Sequence, residues 1–122
     1  MSETADRFTK PNCDYSRPGP RATPLRRDEA LALLREHAAE IERRTNLRPV
    51  ALFGSVARDE ATVDSDVDVI VEQVGPVGWT ERGRAEDYLE LLFEARVDLV
   101  FWDTLKPRVR PYVARDVVRV AA

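Results

Sequence analysis

An alternation of acidic and β-branched residues, Asp66-Val67-Asp68-Val69-Ile70-Val71, constrains the fold of this chain more than any other feature. Successive side chains of a β-strand point to opposite faces, so the pattern predicts a strand over residues 66–72 with both aspartates on one face. Two carboxylates spaced this way lie about 6–7 Å apart along the strand. They can share a divalent cation, and they repel each other without one.

A second apolar strand is predicted to bring a third carboxylate. Residues 97–101 read Val-Asp-Leu-Val-Phe, an apolar run with one acid, Asp98. If this strand lies beside residues 66–72, the three carboxylates converge. Magnesium prefers a few carboxylates together with phosphate and water oxygens, so the arrangement indicates a metal–nucleotide site for nucleotidyl or phosphoryl transfer. Asp98 is then the base or the metal ligand on the nucleophile side. The alternative without a catalytic role is an exposed acid paired with Arg96.

Gly54 and Ser55 follow a buried apolar strand, predicted over residues 49–53, and precede a helical turn over residues 56–58. Glycine permits close backbone approach, and free N–H groups with a hydroxyl at the start of a turn favour anion binding. The pair is therefore predicted to contact phosphate, although Ser55 also fits a simple cap of the turn. Arg58 fits triphosphate contact and an ordinary ion pair about equally well.

The remaining pattern gives an α/β order of αβαβαβα with room for a final edge strand. A first helix is predicted over residues 28–45, capped by Asp28 and ended by Asn46. A second is predicted over residues 80–95, and its charged side, near residues 82–94, is expected to be solvated. Pro107 suits the first turn of a last helix reaching residue 114, and residues 117–120 suit an edge strand.

Length and composition indicate one small cytoplasmic domain. The chain has 122 residues, of which 43% are hydrophobic and 34% charged, which is typical of a soluble globular protein. It has no apolar run near the roughly 20 residues that span a bilayer, so no membrane association is expected. The N-terminus lacks a secretion-signal pattern, and the single cysteine, Cys13, agrees with a reducing compartment. A net charge of −3 disfavours a nucleic-acid partner.

The proline content divides the chain into two parts. Residues 1–24 contain four prolines and few aliphatic residues, which predicts a flexible leader, and residues 25–122 form the folded domain. His37 has no cysteine or histidine neighbour for a zinc site and is expected to be structural. Trp79 and Trp102 are expected to pack at loop and strand ends, with contact to a base or a partner as the alternative.

Two segments together resemble a known family. Gly54-Ser55, ten intervening residues and Asp66-Val67-Asp68 are similar to the signature of the DNA polymerase β-like nucleotidyltransferases. The flanking residues 52–58 and 64–71 resemble, more narrowly, the minimal nucleotidyltransferase (MNT) branch. The resemblance extends over residues 28–120. One departure is Asp59, where the pattern usually has glycine, and it leaves catalytic competence open.

The resemblance implies a small mixed β-sheet flanked by helices. It also implies Mg²⁺ ligation by Asp66 and Asp68, a third family carboxylate at Asp98 and triphosphate contact at Gly54-Ser55. Members of this branch often act as antitoxins that pair with a HEPN-domain ribonuclease, and some transfer AMP from ATP to a tyrosine of that toxin. A hetero-oligomer with such a toxin is therefore the expectation. The alternative is an idle transferase fold that neutralises the toxin by binding; transfer to an antibiotic or to RNA is disfavoured by the short chain.

Overall fold

The computed structural model describes residues 21–120. Cys13 and most of the predicted leader lie outside these residues. The last residues of the predicted leader contact the domain: the Arg21 N–H donates to the Val63 carbonyl at 3.0 Å, and the Arg21 guanidinium reaches the Phe93 carbonyl. Within residues 21–120 no helix is long and apolar enough to cross a membrane.

The described chain alternates helices and strands in the predicted order. Its elements are α1 Arg27–Thr45, β1 Leu47–Phe53, α2 Gly54–Ala57, β2 Val67–Gln73, α3 Trp79–Phe93, β3 Val97–Phe101, a 3₁₀ turn Trp102–Thr104, α4 Arg110–Asp116 and β4 Val118–Arg119. The α/β class and the final edge strand are confirmed, and most boundaries differ from the prediction by one or two residues.

The four strands form one mixed sheet in the order β3-β2-β1-β4. The central pair, β1 and β2, is antiparallel, β4 adds antiparallel to β1, and β3 lies parallel to β2. The predicted neighbourhood of the two aspartate-bearing strands is therefore confirmed.

Helices pack on both faces of this sheet. The larger core joins α1 and α3 to one face, and its fully buried members include Leu34, Leu52, Val69, Leu89 and Phe93. On the other face, Val113 of α4 packs against Ala51 and Ile70. Because alternate strand residues point to opposite faces, Asp68 shares the α4 face with Ile70.

The predicted position of Pro49 at the start of β1 is wrong. The strand begins at Leu47, and its pairing register with β2 shifts between Pro49 and Ala51. On the opposite edge, β4 pairs only with Ala51 and Leu52. Proline has no N–H to donate to a neighbouring strand. Pro49 is tolerated because it lies next to the shift in register with β2 and outside the part of β1 that pairs with β4.

Two predicted helix starts are also wrong. The Asp28 side chain is 94% exposed and the N-cap position of α1 is Arg26, which makes no side-chain capping bond. The last helix begins at Arg110, with Pro111 rather than Pro107 in its first turn. Either proline suits a first turn, and the contact of Val113 with the sheet determines which segment is helical.

Candidate active site

Gly54 brings the β1–α2 turn against the carboxylate of Asp68. Its φ of 78° lies in the left-handed region, which glycine adopts without strain. A Cβ atom at this position would lie 2.3 Å from Oδ2 of Asp68. Any side chain here would therefore displace the carboxylate or the turn. The fold requires glycine at this position for both reasons.

The sheet register places Asp68 between β1 and β3. Asp68 is opposite Phe53 on one side and opposite Asp98 on the other, and the negative charge of Asp98 acts on the Asp68 carboxyl. Asp68 is half-buried and Asp98 is exposed. Farther along this face, Val113 of α4 covers Ile70. The two carboxylates thus form the open end of a face that is otherwise covered.

The positive charge that acts on Asp68 is too weak to offset burial and the neighbouring negative charges. Burial of the carboxyl, followed by the negative charges of Asp98 and Asp66, raises the pKa of Asp68 from 3.8 to about 6. The positive charge of Arg58 acts in the opposite direction and is outweighed. A bound cation would stabilise the ionised carboxylates that the protein alone leaves crowded.

Asp66 is the last residue before β2 rather than its first residue, and it is half-buried. The N–H of Val67 donates to the Arg96 carbonyl at 2.8 Å, which ties the beginnings of β2 and β3 together. Over residues 21–120, no three His, Cys, Asp or Glu side chains are gathered around one metal position. One pair of these aspartates still fits Mg²⁺, which needs only one or two carboxylates when phosphate and water oxygens complete its shell.

Ser55 and Arg58 lie on the turn that begins at Gly54. Ser55 is half-buried, and its carbonyl accepts a hydrogen bond from the Glu60 N–H at 2.8 Å. The Arg58 guanidinium donates to the Glu60 carboxylate at 3.0 Å, with 47% of its side chain exposed. Of the two interpretations of Arg58, the structure contains the ion pair. The electrostatic influence of Arg58 nevertheless reaches Asp68.

Glu90 is a buried acid of α3 that contacts the start of β3, one residue from Asp98 along the strand, and was missed by the sequence analysis. The expectation that the charged side of α3 is solvated is wrong at this residue, because Glu90 is only 3% exposed. Its carboxylate accepts a hydrogen bond from the N–H of Val97, the residue before Asp98, at 3.2 Å. An acid flanked by Leu89 and Leu91 on an otherwise apolar stretch was the available signal.

The two tryptophans and the histidine lie away from the carboxylates. Trp79 is 88% exposed and borders a cavity of about 340 Å³ beside Gln73 and Phe101, at the opposite ends of β2 and β3 from Asp68 and Asp98. Trp102 packs in the α4-side core, with the Arg110 guanidinium 5.5 Å from its ring centroid. His37 Nδ1 lies 2.7 Å from the Tyr88 hydroxyl, a structural contact between α1 and α3.

Comparison with known proteins agrees with this geometry. Residues 34–120 match a family model described as a nucleotidyltransferase domain. The chain belongs to the nucleotidyltransferase domain family. Its predicted membership of the MNT branch is likewise confirmed, and the chain is a nucleotidyltransferase.

Similar proteins match about three quarters of this chain. The protein adenylyltransferase MntA of Thermococcus cleftensis is 38% identical to this nucleotidyltransferase over 93 residues, which are 76% of this chain and 94% of the relative. A structure described as a candidate minimal nucleotidyltransferase superposes with a TM-score of 0.62 at 37% identity and covers 74% of this chain and 92% of its own.

A third comparison concerns the fold alone. A complex between a tri-AMPylated HEPN toxin and an MNT antitoxin of Shewanella oneidensis gives a TM-score of 0.51 at 18% identity. It covers 74% of this chain and 71% of the solved one. The mixed sheet with flanking helices, which the resemblance implied, is confirmed by these structures.

Proposed function

We propose that this nucleotidyltransferase transfers AMP from ATP to a tyrosine hydroxyl of a HEPN-domain toxin, with Mg²⁺, and is the cytoplasmic antitoxin of that pair. The support from relatives is the adenylyltransferase name of MntA and the AMPylated toxin bound to an MNT antitoxin. The observation that carries the proposal within this chain is the Gly54 turn held against the paired carboxylates of Asp68 and Asp98.

The roles follow from position. Asp66 and Asp68 would hold Mg²⁺, and Asp98 would act as the base rather than as a third ligand. When bound, the metal neutralises charge on the transferring phosphate and the leaving group. The Gly54-Ser55 turn would contact the triphosphate through its backbone and the Ser55 hydroxyl, because the absence of a side chain at Gly54 lets the turn lie directly against the Asp68 carboxylate. Arg58 would exchange its ion pair with Glu60 for the triphosphate.

The proposed transfer forms one bond, breaks one bond and releases one proton. The acceptor oxygen attacks the α-phosphorus of ATP, the bond from that phosphorus to the β-phosphate bridging oxygen breaks, and pyrophosphate leaves. The hydroxyl proton must be removed as the new bond forms. Asp98 is the exposed carboxylate of the pair, so it is placed to accept that proton from a hydroxyl entering from solvent.

The binding-only alternative rests on two features: Asp59, an acid at a position where glycine is usual, and the leader of residues 1–24, most of which lies outside the described residues. The Asp59 carboxylate is bonded to the Arg26 guanidinium and the Arg27 N–H at the start of α1. It is therefore engaged at α1, and its charge is compensated there.

Intact mass spectrometry tests the proposal. The chain and its co-purifying partner are incubated with ATP and Mg²⁺, and the partner is expected to gain AMP units. An Asp66→Ala/Asp68→Ala double variant should give no gain. Asp103→Asn is the matched control, because Asp103 lies at the far end of β2, where it contacts the Gln73 N–H at 3.4 Å. A stable complex without any mass gain in the wild type would refute the transfer and favour neutralisation by binding.

A further inference from the structure

Asp59 adopts a conformation that glycine usually supplies. Its φ is 60°, in the left-handed region, where a non-glycine residue is uncommon and aspartate is one of the better tolerated. The sequence comparison with the family pattern identified this position as a departure from glycine. An aspartate that accepts the same backbone shape adds a carboxylate at this point of the loop.

That carboxylate makes three hydrogen bonds to the start of α1. Oδ1 accepts from the Arg27 N–H at 2.9 Å and from the Arg26 Nε at 3.2 Å, and Oδ2 accepts from the Arg26 Nη2 at 3.0 Å. The N-cap residue of α1, Arg26, makes no capping bond of its own. Asp59 therefore supplies, from 32 residues away in sequence, the acceptor that a helix N-terminus normally takes from a neighbour.

A second contact holds the same loop from the same segment. The Arg21 N–H donates to the Val63 carbonyl at 3.0 Å. The segment that leads into α1 therefore contacts the loop at two points. Arg26 and Arg27 bond to Asp59 at the beginning of the loop, and Arg21 bonds to Val63 near its end. This loop connects the Gly54-Ser55 turn to Asp66.

Short backbone bonds transmit the position of Asp59 to the turn. The Asp59 N–H donates to the Val56 carbonyl at 3.0 Å, and the Arg58 N–H donates to the Gly54 carbonyl at 3.1 Å. The Glu60 N–H closes the turn on the Ser55 carbonyl at 2.8 Å. Moving residue 59 away from α1 would therefore loosen the turn that lies against Asp68.

We propose that Asp59 is a positioning residue: together with Arg26 and the Arg27 N–H it forms a brace that holds the Gly54-Ser55 turn in its nucleotide-binding position. The inference rests on the proposed function, since it assigns the brace to the same site. Asp59 itself touches neither substrate nor metal in this account. Its effect passes through the backbone of residues 54–60.

Asp59→Gly is the informative variant, because glycine keeps the left-handed backbone and removes only the carboxylate. A less ordered turn binds the triphosphate more weakly in the ground state and the transition state alike. The expected result is a rise of ~3–10-fold in KM for ATP, with kcat within ~2-fold of wild type. Amide hydrogen exchange should accelerate in residues 54–63 and stay unchanged in β3.

Two further variants separate the hydrogen bond from the charge. Asp59→Asn keeps an acceptor for the Arg27 N–H and tolerates the same φ, so KM should stay within ~2-fold of wild type. Asp28→Asn is the matched control: it removes a carboxylate from the first turn of α1 that is 94% exposed and, among residues 21–120, forms an ion pair with Arg27 at 3.9 Å. It should leave KM and exchange unchanged.

The outcomes are distinct. A lower melting temperature for Asp59→Gly, with wild-type KM and unchanged exchange in residues 54–63, would show an ordinary helix cap and overturn the brace. If the wild type itself neither binds nor transfers nucleotide, the proposed function fails. The comparison of amide hydrogen exchange then tests by itself whether Asp59 holds the turn in place. Faster exchange in residues 54–63 of Asp59→Gly, but not of Asp28→Asn, would then still support the brace; equal exchange would overturn it.

Discussion

Asp59 and Asp68 contact opposite ends of the same short turn, and their surroundings shift the two carboxyl pKa values in opposite directions. The Asp59 carboxylate receives hydrogen bonds from Arg26 and from the Arg27 N–H, which lower its pKa below the ordinary 3.8. Asp68 is half-buried beside Asp98 and Asp66, and its pKa rises to about 6. The negative charge of Asp59 is therefore compensated within the protein. The negative charge of Asp68 is left for a bound cation to compensate.

This difference separates anchoring from chemistry. Asp59 secures the turn to α1 with groups that are already present in the chain. Around Asp68 the fold instead places like charges side by side and has glycine at position 54, where a Cβ would lie 2.3 Å from the Asp68 carboxylate. Such local conflict is common where binding groups are preorganised for a ligand.

The largest effect is expected from changing the contact between the turn and Asp68. Gly54→Ala places a Cβ 2.3 Å from the Asp68 carboxylate at a φ of 78°. Unfolding free energy should fall by about 2–3 kcal/mol, and transfer should fall at least ~100-fold as the carboxylate is displaced. Denaturant unfolding and an AMP-transfer assay measure the two effects.

Gly83→Ala is the matched control for that prediction. Gly83 lies within α3, and a Cβ there would meet nothing within 4 Å. The substitution should raise stability by about 0.5–1 kcal/mol, since alanine is the better helix former, and leave transfer unchanged. Equal behaviour of the two alanine variants would contradict the requirement for close approach at Gly54.

Asp68→Asn should stabilise the metal-free protein while impairing transfer. Because folding raises the Asp68 pKa from 3.8 to about 6, its contribution to stability is present below pH 3.8 and is lost as the pH rises through about 6. Asparagine removes that loss. After discounting for the half-exposed carboxyl, the variant should gain about 1–1.5 kcal/mol at pH 8 and nothing at pH 3.5. Transfer should fall ~10³-fold.

Thermal melts at several pH values, with and without Mg²⁺, check this prediction. Excess Mg²⁺ should raise the melting temperature of the wild type and leave Asp68→Asn unaffected. An Asp68→Asn protein that is less stable than wild type at pH 8 would show that Asp68 is a structural carboxylate like Asp59.

Asp59→Asn should show the opposite pH dependence at a smaller size. The Asp59 pKa is lowered on folding, so its contribution is present above 3.8 and is lost as the pH falls through the lower folded value. The wild type should therefore be slightly more stable than Asp59→Asn at pH 7, and the two should converge in stronger acid. Chemical denaturation at pH 7 and pH 2.5 gives the comparison, and a difference that grows in acid would contradict it.

The smallest effect is expected at Arg58. Its exposed ion pair with Glu60 should contribute no more than ~0.5 kcal/mol, so Arg58→Gln should barely change stability. Because Arg58 lowers the Asp68 pKa, its removal should move the acid limb of the pH–rate profile to slightly higher pH. A profile that does not move would place Arg58 outside the electrostatic reach of the site.

The sequence predicted what depends on short-range pattern. Alternation around Asp66 and Asp68 and the apolar run around Asp98 located the strands, and the register confirms that Asp68 and Asp98 are neighbours. Mg²⁺ ligation and the nucleotide contacts at Gly54, Ser55 and Arg58 stay predictions.

Contacts between segments that are distant in sequence could not be predicted from the short-range pattern of residues. Asp28 was expected to cap α1 because it lies beside the helix start, but the Arg27 N–H bonds to Asp59, which lies in a loop after β1 and α2. Glu90 was assigned to a solvated side because helix periodicity does not show that a strand N–H, that of Val97, lies against it. Each of these depends on tertiary packing that local propensity cannot specify.

The most direct test of the carboxylate pair is calorimetric titration with a non-hydrolysable ATP analogue, with Mg²⁺ or with a chelator, on wild type and Asp68→Asn. The wild type should bind the analogue only with Mg²⁺, and the variant should bind at least ~100-fold more weakly, about 2.7 kcal/mol, although it is the more stable protein. Equal, Mg²⁺-dependent binding by both proteins would show that Asp68 is not part of the nucleotide site.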